Sequence, residues 1–223
     1  MSKNSLLDRV LSVVSDQEYF VVRTAEQQRL VAGFRYKCYL REDAISPNSN
    51  QILDDEYDQM PGVLTVGITQ GGSLVASIRL HLLTATRPCS PTVSIFRDAV
   101  TPILGHGTTA LDCTRFVVAE HLRSLDRVLA VLSVPFAAAH WLDVDFSLAP
   151  VKRSHMAFYS KYLAFERVCE PRVYPPLVKQ LGLMIADYRR HRARVLSTYP
   201  FFGAESMALA RLRADVVGLH PVG

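Results

Sequence analysis

Only four cysteines, Cys38, Cys89, Cys113 and Cys169, occur in 223 residues, and none stands at a CxxC or Cys/His ligand spacing. That scatter argues against a disulfide framework and predicts reduced, partly buried thiols in a cytoplasmic protein. His81, His106, His121 and His140 show no ligand spacing either, so no metal site is expected. No apolar run is long enough to cross a bilayer: VLAVLSVPFAAAHWL is too short and is interrupted by Pro135. The opening MSKNSLLDRVLSVV carries Asp8 and Arg9 inside its apolar stretch, which fits neither a signal peptide nor an integral membrane segment. No Gly-rich run suited to cradling phosphates follows a predicted strand. Neither sign of charge dominates: the net +4 is too small to argue for nucleic acid.

What is present is a folded composition, 49% hydrophobic and 21% charged. The spacing of Leu30, Val31, Phe34, Cys38 and Tyr39 predicts a helix over about 25–40. VLTVGIT, Gly71-Gly72 and SLVASIRLHLL predict a hairpin; Leu74, Ala76, Ile78, Leu80 and Leu82 share one face of its second strand, and Ser77, Arg79 and His81 the other. TALDCTRFVVA predicts a strand, and RSLDRVLAVLSVPFAAAHWL a largely buried helix capped by Ser124. DFSLAPV, AFERV and LGLMIADY predict three more strands, with a helix over RSHMAFYSKYL and a basic helical tail from 189. There is no internal repeat and no dividing linker. The expectation is one α/β domain over 1–223 with a mixed sheet, a core at about 20–188 and an extension at about 189–223.

One stretch runs against the overall charge. LDDEYDQMPG packs Asp54, Asp55, Glu56 and Asp58 together, and no Lys or Arg falls between Glu42 and Asp58. A calcium loop would alternate its ligands and end on a distal Glu, which this one does not.

Element order and motifs together resemble the GNAT acyltransferase fold, with a mixed, mostly antiparallel sheet flanked by helices. Within it the chain is similar to the N-acyl amino acid synthases and their relatives, the acyl-homoserine lactone synthases. FRYKCYLRE is like the Arg-x-x-x-aromatic helix, with Arg35 the matching arginine. DEYD (Asp55 to Asp58) is like the Asp-x-aromatic-Asp of the next loop. SIRL supplies Arg79 for the strand arginine, and DCTRF (Asp112 to Phe116) is like acid-x-x-Arg-Phe of the central strand. RVYPPLVKQLGLMIADY and YPFF also resemble the amino acid synthase branch. Lactone synthases usually carry a Trp after the first helix and a Glu at the position of Asp112; this chain's only Trp is Trp141. The resemblance therefore favours N-acylation of an amino acid or similar amine.

Transfer from a thioester to an amine needs deprotonation of the amine, a hold on the oxyanion and a proton for the leaving thiolate. The resemblance makes Asp112 the candidate to deprotonate or orient the amine, directly or through a water. The oxyanion would fall to backbone amides near Phe116 and Val117. Asp112 and Arg115, three apart, share a face only if the strand is bulged, and a bulge also frees an amide. Tyr159 is the candidate acid for the thiolate; His155, one helical turn earlier, is the alternative, and a half-buried packing role for Tyr159 stays open. Arg35, Asp55, Asp58 and Arg79, with Val117 and His155, are the expected substrate contacts, and Arg115 stands with the catalytic candidates; alternatively Arg35, Arg79 and Arg115 pair with Asp55 and Asp58 to hold the acidic loop as a lid. Cys113 is read as packing.

The expected donor is an acyl carrier protein, because EHLRSLDR after TRFVVA offers no wrap for a pyrophosphate; acyl-coenzyme A is the alternative, and no resident cofactor is expected. Arg123, Arg127, Lys152, Arg153 and Lys161 form the expected docking face for an acidic carrier. Two rival readings remain. One is a lactone synthase using S-adenosylmethionine. The other is a binding protein that kept the fold without catalysis and uses the basic tail (Arg189, Arg190, Arg192, Arg194, Arg211, Arg213) for an acidic partner.

Overall fold

A computed structural model describes residues 5–220; the ends of the predicted 1–223 domain lie outside the described residues. A short capped helix, α1 (Leu6–Ser15), and an edge strand, β1 (Glu18–Val21), precede the predicted first helix. That helix, α2, spans Ala25–Arg41, with Thr24 accepting the Gln27 amide and Gln27 returning the contact. The acidic loop follows, closing on a 3-10 turn at Glu56–Gln59 that Asp55 caps.

The hairpin is β2 (Val63–Gln70) and β3 (Ser73–Thr84), turning through Gly71 and Gly72, both at positive φ. Two short helices, α3 (Pro91–Ile95) and α4 (Arg97–Val100), lead to β4 (Thr109–Val118). Helix α5 (Leu125–Trp141) starts on Ser124, whose side chain accepts the Arg127 amide as predicted. Then come β5 (Phe146–Val151), α6 (Met156–Leu163), β6 (Glu166–Arg167) and β7 (Gly182–Asp187). The tail holds α7 (Tyr188–Thr198), α8 (Met207–Ala210) and α9 (Arg213–Val217).

The seven strands form one sheet in the order β1-β2-β3-β4-β5-β7-β6. Only β4 and β5 run parallel. Alternation along β3 assigns the two faces. Ala76, Ile78, Leu80 and Leu82 pack in one core with residues of α1, α5, α6 and the tail. Leu83 packs in a second core with Tyr36 of α2, Val93 of α3 and Phe96. Ser77, Arg79 and His81 share that second face, as predicted, yet all three are fully buried, because α2 and the acidic loop cover them. Gly67 on β2 is required by close approach: a Cβ there would stand 2.2 Å from the Phe20 ring of β1.

Two irregularities of β4 open the sheet. Its pairing with β5 covers only Ala110–Asp112 against Phe146–Leu148, so the strands part beyond Asp112. On the other side, the register with β3 jumps from Ser77–Val117 to Arg79–Thr114, so Arg115 and Phe116 together oppose one residue. Arg115 carries the extra turn at φ 52°, a conformation that costs a non-glycine residue. The bulge expected from the Asp112–Arg115 spacing is therefore present. Among the described residues no helix is long and apolar enough to cross a membrane.

Candidate active site

Where β4 and β5 separate, a cleft of about 470 Å³ is walled by Thr114 to Val118 of β4 and by Pro150 and Val151 of β5. Ser124, Leu125 and Val128 at the start of α5 form one side, and His155, Phe158 and Tyr159 the other. An apolar cavity of about 50 Å³ continues from it behind the sheet, lined by Leu132, Ala139, Ala149 and Ala186 among others. Cys113, Phe116 and Tyr159 line both spaces and mark their junction.

The bulge puts Phe116 and Val117 on the cleft wall, where an oxyanion donor is needed. Tyr159 is buried, its ring edge-on to Phe165, and burial pushes its phenol well above the ordinary range. His155 sits at the rim, its pKa lowered by desolvation and by the Lys152 charge. Burial, aided by the Asp112 charge, raises the Cys113 thiol, so it stays a packing group.

Three predicted substrate arginines are occupied within the chain. Arg79 holds the Asp55 carboxylate through both terminal nitrogens, with Nη2 to Oδ2 at 3.1 Å, and reaches Asp58 Oδ1 at 3.1 Å. Arg115 Nη2 donates to Asp55 Oδ2 at 2.6 Å, and Arg35 Nη1 to Asp58 Oδ1 at 2.8 Å. Arg35 and Arg79 are 1% and 0% exposed. Of the three, Arg79 and Arg115 border the cleft; Arg35, Asp55 and Asp58 do not. These last three pin the acidic loop over the face of β2–β4. Burial would raise the Asp55 carboxyl, but hydrogen bonds and charge from Arg79 and Arg115 outweigh it and hold it at about 2.

Asp112 is likewise withdrawn from the cleft. It is fully buried, its Oδ1 accepts from Thr92 Oγ1 at 3.0 Å, and burial pushes its pKa up to about 6 against the Ser90 and Thr92 hydroxyls and the Arg79 charge. Of the two expected modes, this position suits action through an intervening group better than direct contact with a substrate amine. Thr92 Oγ1 also meets Tyr174 Oη at 3.2 Å, and Tyr174 lines the cleft. Neither Thr92 nor Tyr174 carried a predicted role, although RVYPPL had drawn attention as a motif. His81, opposite Asp112 in the ladder, shares its Nε2 with Thr114 Oγ1 at 3.0 Å and is kept neutral by burial and by Arg79.

The expected docking cations divide. Arg123 and Lys152 both pair with Glu42 at the mouth, and Arg127 donates to Gln70 Oε1 at 2.6 Å. Arg153 is exposed, and Lys161 lies over the Tyr162 ring at 5.1 Å. Glu42 escaped the sequence reading because its partners lie about 80 and 110 residues away.

The family model of the N-acyl amino acid synthase FeeM matches residues 31–187. Among solved structures, FeeM, an N-acyl amino acid synthase from uncultured soil microbes, superposes with a TM-score of 0.68 at 15% identity, covering 82% of this chain and 96% of its own. A coenzyme A-dependent acyl-homoserine lactone synthase, BjaI, gives 0.63 at 12% identity, covering 89% and 99%. An acyl-coenzyme A N-acyltransferase from Pseudomonas aeruginosa gives 0.54 at 15%, covering 76% and 98%. No curated protein matches the sequence.

Proposed function

The chain belongs to the N-acyl amino acid synthase FeeM family, and on that premise we propose that it transfers a fatty acyl group from a carrier-protein thioester to the α-amine of an amino acid or similar amine. One observation carries the reading. A cleft between parted strands runs, past a bulge, into an apolar cavity of the kind an acyl chain fills. The thioester carbonyl belongs at the junction beside Phe116 and Tyr159, with the chain lying toward Ala149 and Ala186. The carrier arm and the amine enter from the open side. The amine nitrogen attacks the carbonyl, bulge amides near Phe116 and Val117 hold the oxyanion, and the C–S bond breaks as sulfur takes a proton from Tyr159 or His155. Arg115, on the cleft wall, supplies positive potential for the amine's carboxylate.

The donor assignment rests on the loop after β4. It forms a 3-10 turn at Glu120–Leu122 and brings Glu120 and Asp126 to the start of α5, a poor setting for a pyrophosphate. The docking face is then carried mainly by Arg153 and Lys161, with Arg123, Arg127 and Lys152 lending charge around it. No resident cofactor is needed; the thioester is a substrate.

The test is to incubate the purified protein with long-chain acyl carrier protein and a mixture of amino acids, and to analyse products by mass spectrometry. An N-acyl amino acid is expected. Release of methylthioadenosine from S-adenosylmethionine would move the chain to the lactone route. No turnover of any acyl thioester would leave a binding protein.

A further inference from the structure

Asp112 presents a chemical problem. It stands on the central strand beside the cleft, yet it is 0% exposed and its Oδ2 has no hydrogen-bond partner among the described residues. Its one contact toward the cleft is indirect. Thr92 Oγ1 lies 3.0 Å from Asp112 Oδ1 and 3.2 Å from Tyr174 Oη, both within hydrogen-bond range.

Direction follows from counting protons. A threonine hydroxyl has one proton, and here it points at the carboxylate, so the contact with Tyr174 needs the phenol to donate. With its proton committed to Thr92, the Tyr174 oxygen has only lone pairs to offer a group entering the cleft that Tyr174 lines. The wall therefore offers an acceptor, linked by two hydroxyls to a buried carboxylate. The geometry points to Tyr174 as a further catalytic residue, the group that takes the amine's proton and hands it through Thr92 to Asp112.

The step balances. As the nitrogen lone pair forms the C–N bond, an N–H proton moves to Tyr174 Oη. The phenol proton moves to Thr92 Oγ1, and the hydroxyl proton to Asp112 Oδ1. Asp112 becomes a neutral acid and later returns the proton to solvent along the same chain. Tyr174 itself never ionises: burial and the nearby Asp112 charge raise its pKa far above the working range. Asp112 is suited to the end of the chain, since burial brings its pKa to about 6. The groups facing it are His81 and Arg79 from β3, Ser90 and Thr92 at α3, and Cys113 beside it on β4. Arg115 bears on Tyr174. His81 stays neutral and the arginines charged, so Asp112 is the group that titrates near pH 6.

This inference rests on the acyltransferase reading, and its test separates the two. Product formation by the wild type tests that reading; variant ratios and pH profiles test the relay. Tyr174→Phe and Thr92→Val are each expected to lower kcat by about a hundredfold, with the KM for the acyl donor within about twofold. The wild type should show an acid limb near pH 6, and both variants should lose it. Thr92→Ser, which keeps a hydroxyl, should recover most of the rate. A fall in kcat that leaves the acid limb in place, or a Thr92→Ser as slow as Thr92→Val, overturns the relay and leaves a packing contact. Carbon-13 NMR of the Asp112 carboxyl tests the Thr92 contact independently of turnover. Thr92→Val must raise its titration midpoint, because it removes a hydrogen bond to the charged form. An unmoved midpoint overturns the contact on which the relay depends.

Discussion

Asp112 shows how one side chain couples stability to activity. Its folded pKa, about 6, lies above the ordinary aspartate value of 3.8, so the native state binds the proton more tightly than the unfolded chain. Stability from this group is full below pH 4 and is lost as pH rises through 6, a loss of about 3 kcal/mol. Asp112→Asn removes the titration. Its melting temperature relative to the wild type should rise between pH 4 and pH 8, while acyl transfer is abolished throughout. Parallel thermal melts of the two proteins across that range, with turnover at each pH, make the comparison. A constant difference would mean that the carboxyl is solvated in the native state. The position of Asp112 was legible in DCTRF. Its partners were not, because Thr92 and Tyr174 stand 20 residues before and 62 after it, and only the fold brings them together.

Among elements, the acidic loop and β4 carry the most consequence. The sequence raised two uses for Arg35, Arg79 and Arg115, and burial accounts for the clasp: desolvated guanidiniums need carboxylates, and Asp55 and Asp58 are within reach. Arg79→Ala should cost about 1.5–3 kcal/mol, since it removes the two-nitrogen hold on Asp55 and leaves Arg115 as that carboxylate's remaining arginine partner. It should also expose the segment 43–62 to protease. Unchanged melting and protection would show that the loop is held by packing alone. The clasp also has a sign with pH. The folded pKa of Asp55 is depressed to about 2, so its contribution is present above pH 4 and lost as pH falls toward 2. Protease sensitivity of this loop should therefore rise on acidification before global unfolding.

The bulge in β4 could be anticipated from the spacing of Asp112 and Arg115, because strand alternation forbids their convergence otherwise. The parting of β4 from β5 could not, since it depends on where pairing stops rather than on any residue type. That parting creates the apolar cavity, whose small walls invite a size test. Ala186→Leu on β7 should shift the preferred donor to shorter acyl chains, at a packing cost of about 1–3 kcal/mol. Competition between donors of different chain length, read by mass spectrometry, measures the shift. An unchanged preference would place the acyl chain elsewhere.

Over the whole molecule, element order was largely readable because turn signals and periodicity are local. The insertion of β7 between β5 and β6 was not, nor were α1 and β1, since no local pattern records which strands neighbour each other. The same distinction bears on the acyl donor. Sequence proximity grouped Arg123, Arg127, Lys152, Arg153 and Lys161 as one docking face, but Glu42 engages two of them at the mouth. Reversing Lys152 would thus break an internal pair as well as any carrier contact, and its effect could not be assigned. Arg153 and Lys161 are exposed and avoid that ambiguity. Charge on such a face acts mainly on encounter rate and is screened by salt, with a Debye length of about 10 Å at 0.1 M. Acyl carrier protein should therefore outperform acyl-coenzyme A in kcat/KM at low ionic strength, and the advantage should shrink as salt is added. Arg153→Glu with Lys161→Glu should remove most of it without changing kcat at saturating donor. If acyl-coenzyme A proves equally efficient, indifferent to salt and to both reversals, the free thioester is the donor and the cations at the mouth serve only to hold Glu42.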